Sequence, residues 1–219
     1  HKLRDYGLSM AADLEFYFDP VCPWAWITSR WVTNVQQLRN YEVSWKFISL
    51  RMVNAERGYA NNSQYEAIHN AGLQGLRVAS AARSVQGNAG VAAFYTALGT
   101  AIHRDGRRDL LESPHAFLTE IAVSASLPKT IADAYTEEAH DEVIRYETEA
   151  ALSRTGKDVG TPILTFNPKA ANEASLFGPV ISTAPKGNEA VKLWDAVQTI
   201  AESGVAEIKR SLRAAPQFD

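Results

Sequence analysis

The sequence predicts an α/β fold interrupted by an all-helical insertion, and three observations predict it. A strand-helix-strand pattern occupies residues 13–60, a strand-strand-helix pattern occupies residues 153–215, and alanine-rich sequence of helical period separates them over residues 61–152. We therefore divide the chain into two parts of one α/β domain and an inserted helical domain.

Each element has a local reason. Leu14, Phe16 and Phe18 alternate with Glu15, Tyr17 and Asp19, the period-two pattern of a strand rich in β-prone aromatics, and Pro20 ends it. Pro23 suits the first turn of a helix, where its missing N–H costs nothing. Trp24 to Leu38 then keeps helical spacing, with Trp24, Ile27, Trp31, Val35 and Leu38 on one face. A second strand over about Glu42 to Leu50 alternates Val43, Trp45 and Phe47 against Ser44, Lys46 and Ile48. A right-handed crossover is expected between these two strands.

From about Ser63 to Leu152 four or five helical elements are predicted, broken at Gly87-Asn88-Ala89-Gly90, Asp105-Gly106 and Leu127-Pro128. Pro162 to Asn167 and Ala174 to Gly178 read as short strands, and a helix follows from about Asn188 to Ser203. This order is that of the thioredoxin fold interrupted in its middle. The inserted block is expected to pack on the rest as a lid.

Composition narrows the function classes. With 46% hydrophobic residues the chain can bury a core without staples, and one cysteine in 219 residues makes no internal disulfide. The histidines, at positions 1, 69, 103, 115 and 140, have no metal-ligand spacing, so no structural metal is expected. A net charge of −3 offers no basic field for nucleic acid, and no run of about 18 apolar residues is present to span a bilayer. Residues 1–10, HKLRDYGLSM, lack the apolar segment of a secretory signal and end in Met10. Together with the lone thiol this predicts a soluble protein of a reducing cytoplasm.

The chemistry concentrates at Asp19-Pro20-Val21-Cys22-Pro23-Trp24-Ala25-Trp26. Cys22 sits just before the first helical turn, where unpaired backbone N–H groups and the positive end of the macrodipole face its sulfur, so a lowered thiol pKa is expected. A free cysteine can also be a small buried hydrophobe, but Cys-Pro-Trp between an aromatic strand and a helix favours the nucleophile. Dithiol redox motifs read Cys-x-x-Cys, and here Ala25 takes the second thiol's place. The second element is Gly160-Thr161-Pro162, where an X-Pro bond opens a strand; it is cis in thioredoxin-like folds. In that geometry the Thr161 backbone would face the sulfur and pair with an extended thiol substrate.

With both motifs in place, the chain resembles the DsbA-like branch of the thioredoxin superfamily, and particularly the actinobacterial mycothiol-dependent nitroreductases. The resemblance runs through Phe18 to Trp24, Ile27 to Trp31, Tyr95 to Gly99 with Ile102-His103, Val159 to Pro162, Phe177 to Val180, Lys192 to Asp195 and Pro216 to Asp219. It implies a helical insertion that moves over the active site, mycothiol as reductant, and disulfides or nitro compounds as oxidants. It also implies that Trp24, Asn54, Tyr65 and His103 line the site, although the loop around Gly58 to Ser63 differs in length from the family pattern. The family usually carries Cys-Pro-Trp-Cys, so Ala25 departs at the most consequential position. Ala25 fits either a substitution that traps one redox state or a natural monothiol variant. Arg51-Met52-Val53 and Phe166 to Lys169 drift from the family pattern as well, which favours the variant. A dithiol cycle is excluded in this chain, and a monothiol cycle needs an outside thiol to resolve a mixed disulfide on Cys22.

Two rival readings stand beside this one. A thiol-cofactor-dependent transferase or isomerase, resembling kappa-class glutathione transferases and hydroxychromene-carboxylate isomerases, would lack a second thiol by design. A ligand-binding relative without catalysis would have lost the resolving thiol. No Gly-rich dinucleotide fingerprint and no flavin site is visible, so nitroreduction needs another electron source. Partners are expected to be a small thiol and a small-molecule or protein disulfide, with a homodimer left open. His103 is read either as a substrate-positioning group or as a packing residue, Trp26 as core, and Trp24 as partly exposed beside the thiol. Lys186 to Glu189 reads as ordinary helix capping, and Glu137-Glu138 and Arg107-Arg108 read as solvated faces.

Overall fold

The computed structural model describes residues 12–218, so Met10 and the rest of the leading ten residues, together with Asp219, lie outside the described part. A four-stranded sheet in the order β2-β1-β3-β4 is formed by β1 (Leu14–Phe18), β2 (Val43–Phe47), β3 (Ile163–Phe166) and β4 (Ala174–Phe177). The helix α1 (Pro23–Gln36) joins β1 to β2, which run parallel, while β3 runs antiparallel to both β1 and β4. Between β2 and β3 lie α2 (Leu50–Val53), α3 (Ser63–Gly99), a π-helical turn (Thr100–Arg104), α4 (Asp109–Glu112) and α5 (Pro114–Ser124). Two 3₁₀ segments, Lys129–Thr136 and Glu138–His140, and α6 (Asp141–Thr155) complete that stretch, and α7 (Gly187–Glu202) follows β4. No helix among the described residues is long and apolar enough to cross a membrane.

The alternation read in β1 is real, yet every residue of the strand is buried. As a central strand it is covered on both faces. Leu14, Phe16 and Phe18 enter the main core with Trp26, Trp31 and Trp194 of α1 and α7. Glu15 and Tyr17 turn toward α6, where Arg154 reaches both the Glu15 carboxylate and the Tyr17 hydroxyl at 2.8 Å. The polar half of the pattern thus marks a buried, fully paired cluster rather than a wet face. Leu38, placed on the apolar face of the first helix, is 55% exposed because α1 ends at Gln36 and the chain turns away there.

The expected break at Gly87 is a kink inside α3: Gln86 and Gly87 leave helical geometry, and Gly87 takes φ +62°, which only glycine adopts cheaply. The kink puts Asn88 against the open edge of β2. There its side chain accepts from Trp45 N–H and donates to Val43 C=O, both at 2.8 Å. Arg83 and Glu147 continue the same edge, donating to Trp45 C=O at 2.9 Å and accepting from Phe47 N–H at 2.7 Å. Side chains of α3 and α6 therefore stand in for a missing strand neighbour. Tyr95 of α3 stacks on Phe18 at 3.8 Å, so sheet and helical stretch share one core. On the face read as solvated, Arg107 pairs with Asp109 and Glu120 and lies over the Phe117 ring.

Candidate active site

Cys22 is the N-cap of α1, with Pro23 as the first helical residue. Its backbone is extended, so the sulfur folds over the first turn and accepts from Ala25 N–H at 3.5 Å. On the other side the thiol donates to Thr161 C=O at 3.6 Å. The Thr161–Pro162 peptide is cis. The loop before the cysteine is tied down by Asp19, whose buried carboxylate accepts from Val21 N–H at 3.1 Å and from Leu50 N–H at 2.8 Å. Gly72 of α3 packs so closely on this carboxylate that a Cβ there would collide with it.

His103, in the π-helical turn, places Nε2 2.8 Å from Pro20 C=O; a carbonyl only accepts, so Nε2 carries the hydrogen. Its ring stacks on Trp26 at 5.9 Å and meets Phe218 at 5.6 Å. The histidine thus holds the loop leading to the cysteine and has its proton committed to that loop. Trp26 is buried, and the Arg30 guanidinium lies 4.2 Å over its ring. Trp24 is half-buried and carries the Arg213 guanidinium over its own ring at 5.4 Å.

The residues singled out from sequence do not all converge. Cys22, Ala25 and Thr161 are joined by hydrogen bonds around the sulfur, with Pro162 next in the chain and Trp24 and His103 flanking. Asn54 turns back to donate to Leu50 C=O at 2.8 Å, and Tyr65 is 58% exposed with its ring against His69. Asp19, Arg213 and Phe218 were not assigned a role from sequence. For Asp19 the signal was present, as a carboxylate at the end of an aromatic-rich strand, just before the cysteine loop.

The electrostatics correct one expectation. The Cys22 thiol is 8% exposed, and burial pushes its pKa above the ordinary thiol value rather than below it. The pull of the Thr161 side chain and of the Ala25 N–H acts against that burial, while the nearby Asp19 carboxyl adds to the rise. Burial also pushes Asp19 up to about 7, against the lowering pull of its two N–H donors. It pushes His103 down to about 4, so the imidazole is neutral at pH 7. Among the described residues no cluster of His, Cys, Asp and Glu is arranged to hold a metal. The Thr161 hydroxyl is buried and makes no hydrogen bond among the described residues while Cys22 is a protonated thiol; its pull on the sulfur acts on the thiolate.

Comparison with known proteins fits this arrangement. The model of a family described as "Rv2466c-like: Mycothiol-dependent nitroreductase Rv2466c" matches residues 21–210. An uncharacterised protein of Mycobacterium tuberculosis, Rv2286c, is 27% identical over 194 residues, spanning 86% of this chain and 76% of that protein. Among solved structures, the cytosolic disulfide reductase DsbM from Pseudomonas aeruginosa superposes with a TM-score of 0.56 at 16% identity, covering 85% of this chain and 98% of DsbM. A 2-hydroxychromene-2-carboxylate isomerase gives a TM-score of 0.54 at 14% identity, covering 85% of this chain and 94% of that one. DsbA from Pseudomonas aeruginosa gives 0.50 at 14% identity, covering 90% of this chain and 88% of that one. These structures share the DsbA-like thioredoxin fold, as read from the sequence.

Proposed function

We propose, from the premise that the chain belongs to the Rv2466c-like family, that it is a thiol oxidoreductase in which Cys22 works through a mixed disulfide with mycothiol as the resolving thiol. The observation that carries this reading is the sulfur's placement at the N-cap of α1, between the Ala25 N–H and the Thr161 carbonyl. Cys22 loses its proton and attacks one sulfur of a disulfide substrate; the S–S bond breaks, the leaving sulfur departs as a thiolate, and Cys22 is left in a mixed disulfide. An external thiolate then attacks the partner sulfur of that bond and frees Cys22. The net change is one thiol–disulfide exchange: one half of the substrate leaves as a thiol, its thiolate taking up the proton that Cys22 gave to solvent, and the other half leaves joined to the external thiol, from which a second external thiol would free it. Ala25 has no sulfur to intercept the intermediate, so resolution comes from outside.

The residues present suit a small thiol. The unpartnered Thr161 hydroxyl is a group that the partner's polar backbone would satisfy, and the half-buried Trp24 offers an apolar flank. The helical stretch between β2 and β3 serves as the lid of this site, and the reducing cytoplasm is its setting. Intact mass after incubation with oxidised mycothiol tests the proposal. A single adduct on Cys22 that clears on adding reduced thiol is the expected result, and an alkylatable Cys22 that forms no adduct overturns it.

One observation favours a second reading. A buried thiol with a raised pKa and no second cysteine also suits a transferase or isomerase in which a bound thiol cofactor does the chemistry and Cys22 only orients it. Cys22→Ser abolishes activity under the first reading and preserves it under the second.

A further inference from the structure

After α7 the chain returns to the candidate active site. Residues 205–218 carry no helix or strand and are almost entirely exposed, yet they are held in place at several points. Gln217 N–H donates to Ser182 C=O at 2.8 Å, the Thr183 hydroxyl to the Gln217 side chain at 3.1 Å, and the Ser182 hydroxyl to Ala214 C=O at 3.0 Å. The loop that receives them is fastened to α1, where Thr28 donates to Pro179 C=O at 2.8 Å.

Two side chains of this segment bracket the cysteine. Arg213 covers Trp24, two residues after Cys22, and Phe218 packs against His103, which holds Pro20, two residues before it. Trp24 and the Trp26 that His103 stacks on are about 200° apart around α1. A segment that reaches both sides, through Trp24 directly and through His103, runs beside the first turn, where Cys22 is the cap. The five peptide steps from Arg213 to Phe218 span at most about 17 Å, so the segment stays close to both contacts.

We infer that Arg213 and Phe218 are specificity-determining residues of the Cys22 site, and that the segment they belong to walls it off from folded proteins while admitting low-molecular-weight disulfides. This deepens the proposed function and rests on it for the reaction, though the wall itself is a matter of access to the sulfur. A disulfide on a protein surface must bring backbone on both sides of its sulfurs up to Cys22, where this segment stands. A small disulfide needs only a narrow approach.

The test compares alkylation of Cys22 in the full chain by N-ethylmaleimide and by the same maleimide displayed on a folded carrier protein, read by intact mass. The unmodified protein is expected to react about a hundredfold more slowly with the carrier, and Arg213→Ala with Phe218→Ala to narrow that gap about tenfold. Arg213→Ala alone removes only an exposed contact and is expected to narrow it in part, while Leu212→Ala, 86% exposed in the same segment, leaves it unchanged. Equal rates for the two reagents in the unmodified protein overturn the inference. So does a double variant in which both rates shift by one common factor or neither shifts. Alkylation requires no turnover, so failure to form the mycothiol adduct would overturn the proposed reaction and leave this result standing.

Discussion

The Cys22 thiol donates to the Thr161 carbonyl at 3.6 Å, which links the start of α1 to the turn opening β3 across 139 residues of sequence. The contact keeps the sulfur under cover, and cover decides its acidity: desolvation outweighs the Ala25 N–H at the helix start. The rate of Cys22 alkylation by iodoacetamide is therefore expected to climb through a midpoint above the ordinary 9.0, with little reaction at neutral pH. Midpoint and rate plateau are both read from a pH series. A midpoint near neutrality would mean that the thiol reacts from a more open arrangement than this one.

Gly99 approaches the Trp26 ring so closely that a Cβ would overlap its Cε3 and Cζ3 atoms. Trp26 has nowhere to go, with Arg30 over its ring, Tyr95 edge-on at 5.7 Å and His103 stacked. Gly99→Ala is expected to cost about 1–3 kcal/mol by overpacking, measured by urea denaturation. Because His103 rides on the same ring, the variant should also alter Cys22 alkylation.

Asn88 satisfies two backbone groups of β2 at once. Asn88→Ala leaves Trp45 N–H and Val43 C=O unpaired at a partly covered edge and is expected to cost about 1–3 kcal/mol. Asn88→Asp keeps the acceptor and loses the donor, so it should recover part of that loss in the same denaturation series. An Asn88→Ala protein as stable as the parent would show that water replaces both bonds.

Much of the fold was legible because local pattern and tertiary role agree. Strand alternation in Val43 to Phe47, the proline at the first turn of α1 and the two short strands after Thr161 all follow from residue-level preferences. What escaped was set by distant partners. Nothing near Glu15 announces Arg154, 139 residues on, so the alternation marks the strand without showing that its polar side is buried too. The site divided in the same way. Cys22 and Thr161 declare themselves by the turn chemistry around them, whereas Arg213 and Phe218 belong to an exposed tail whose value lies in where it runs. The thiol's acidity was misjudged because a helix N-terminus is visible in sequence and desolvation is not.

The last prediction sets two buried groups of the site against each other. Asp19 has its folded pKa raised from 3.8 to about 7, so between those values the native state holds a proton that the unfolded chain has released. Its contribution to stability is present at low pH and is lost as pH rises toward about 7. His103 is the reverse case. Its folded pKa is lowered from 6.5 to about 4, so the unfolded chain holds the extra proton, and stability is lost as pH falls from about 6.5 toward about 4. Asp19→Asn should therefore flatten the decline of Tm between pH 4 and 7, at the cost of the Val21 or Leu50 hydrogen bond, since an amide has one acceptor oxygen. His103→Gln keeps a donor for Pro20 and should protect Tm on the acid side alone. Calorimetric Tm values for the two variants from pH 4 to 8 check both slopes. If the variants shift the profile in the same direction, burial is not what sets these two protons.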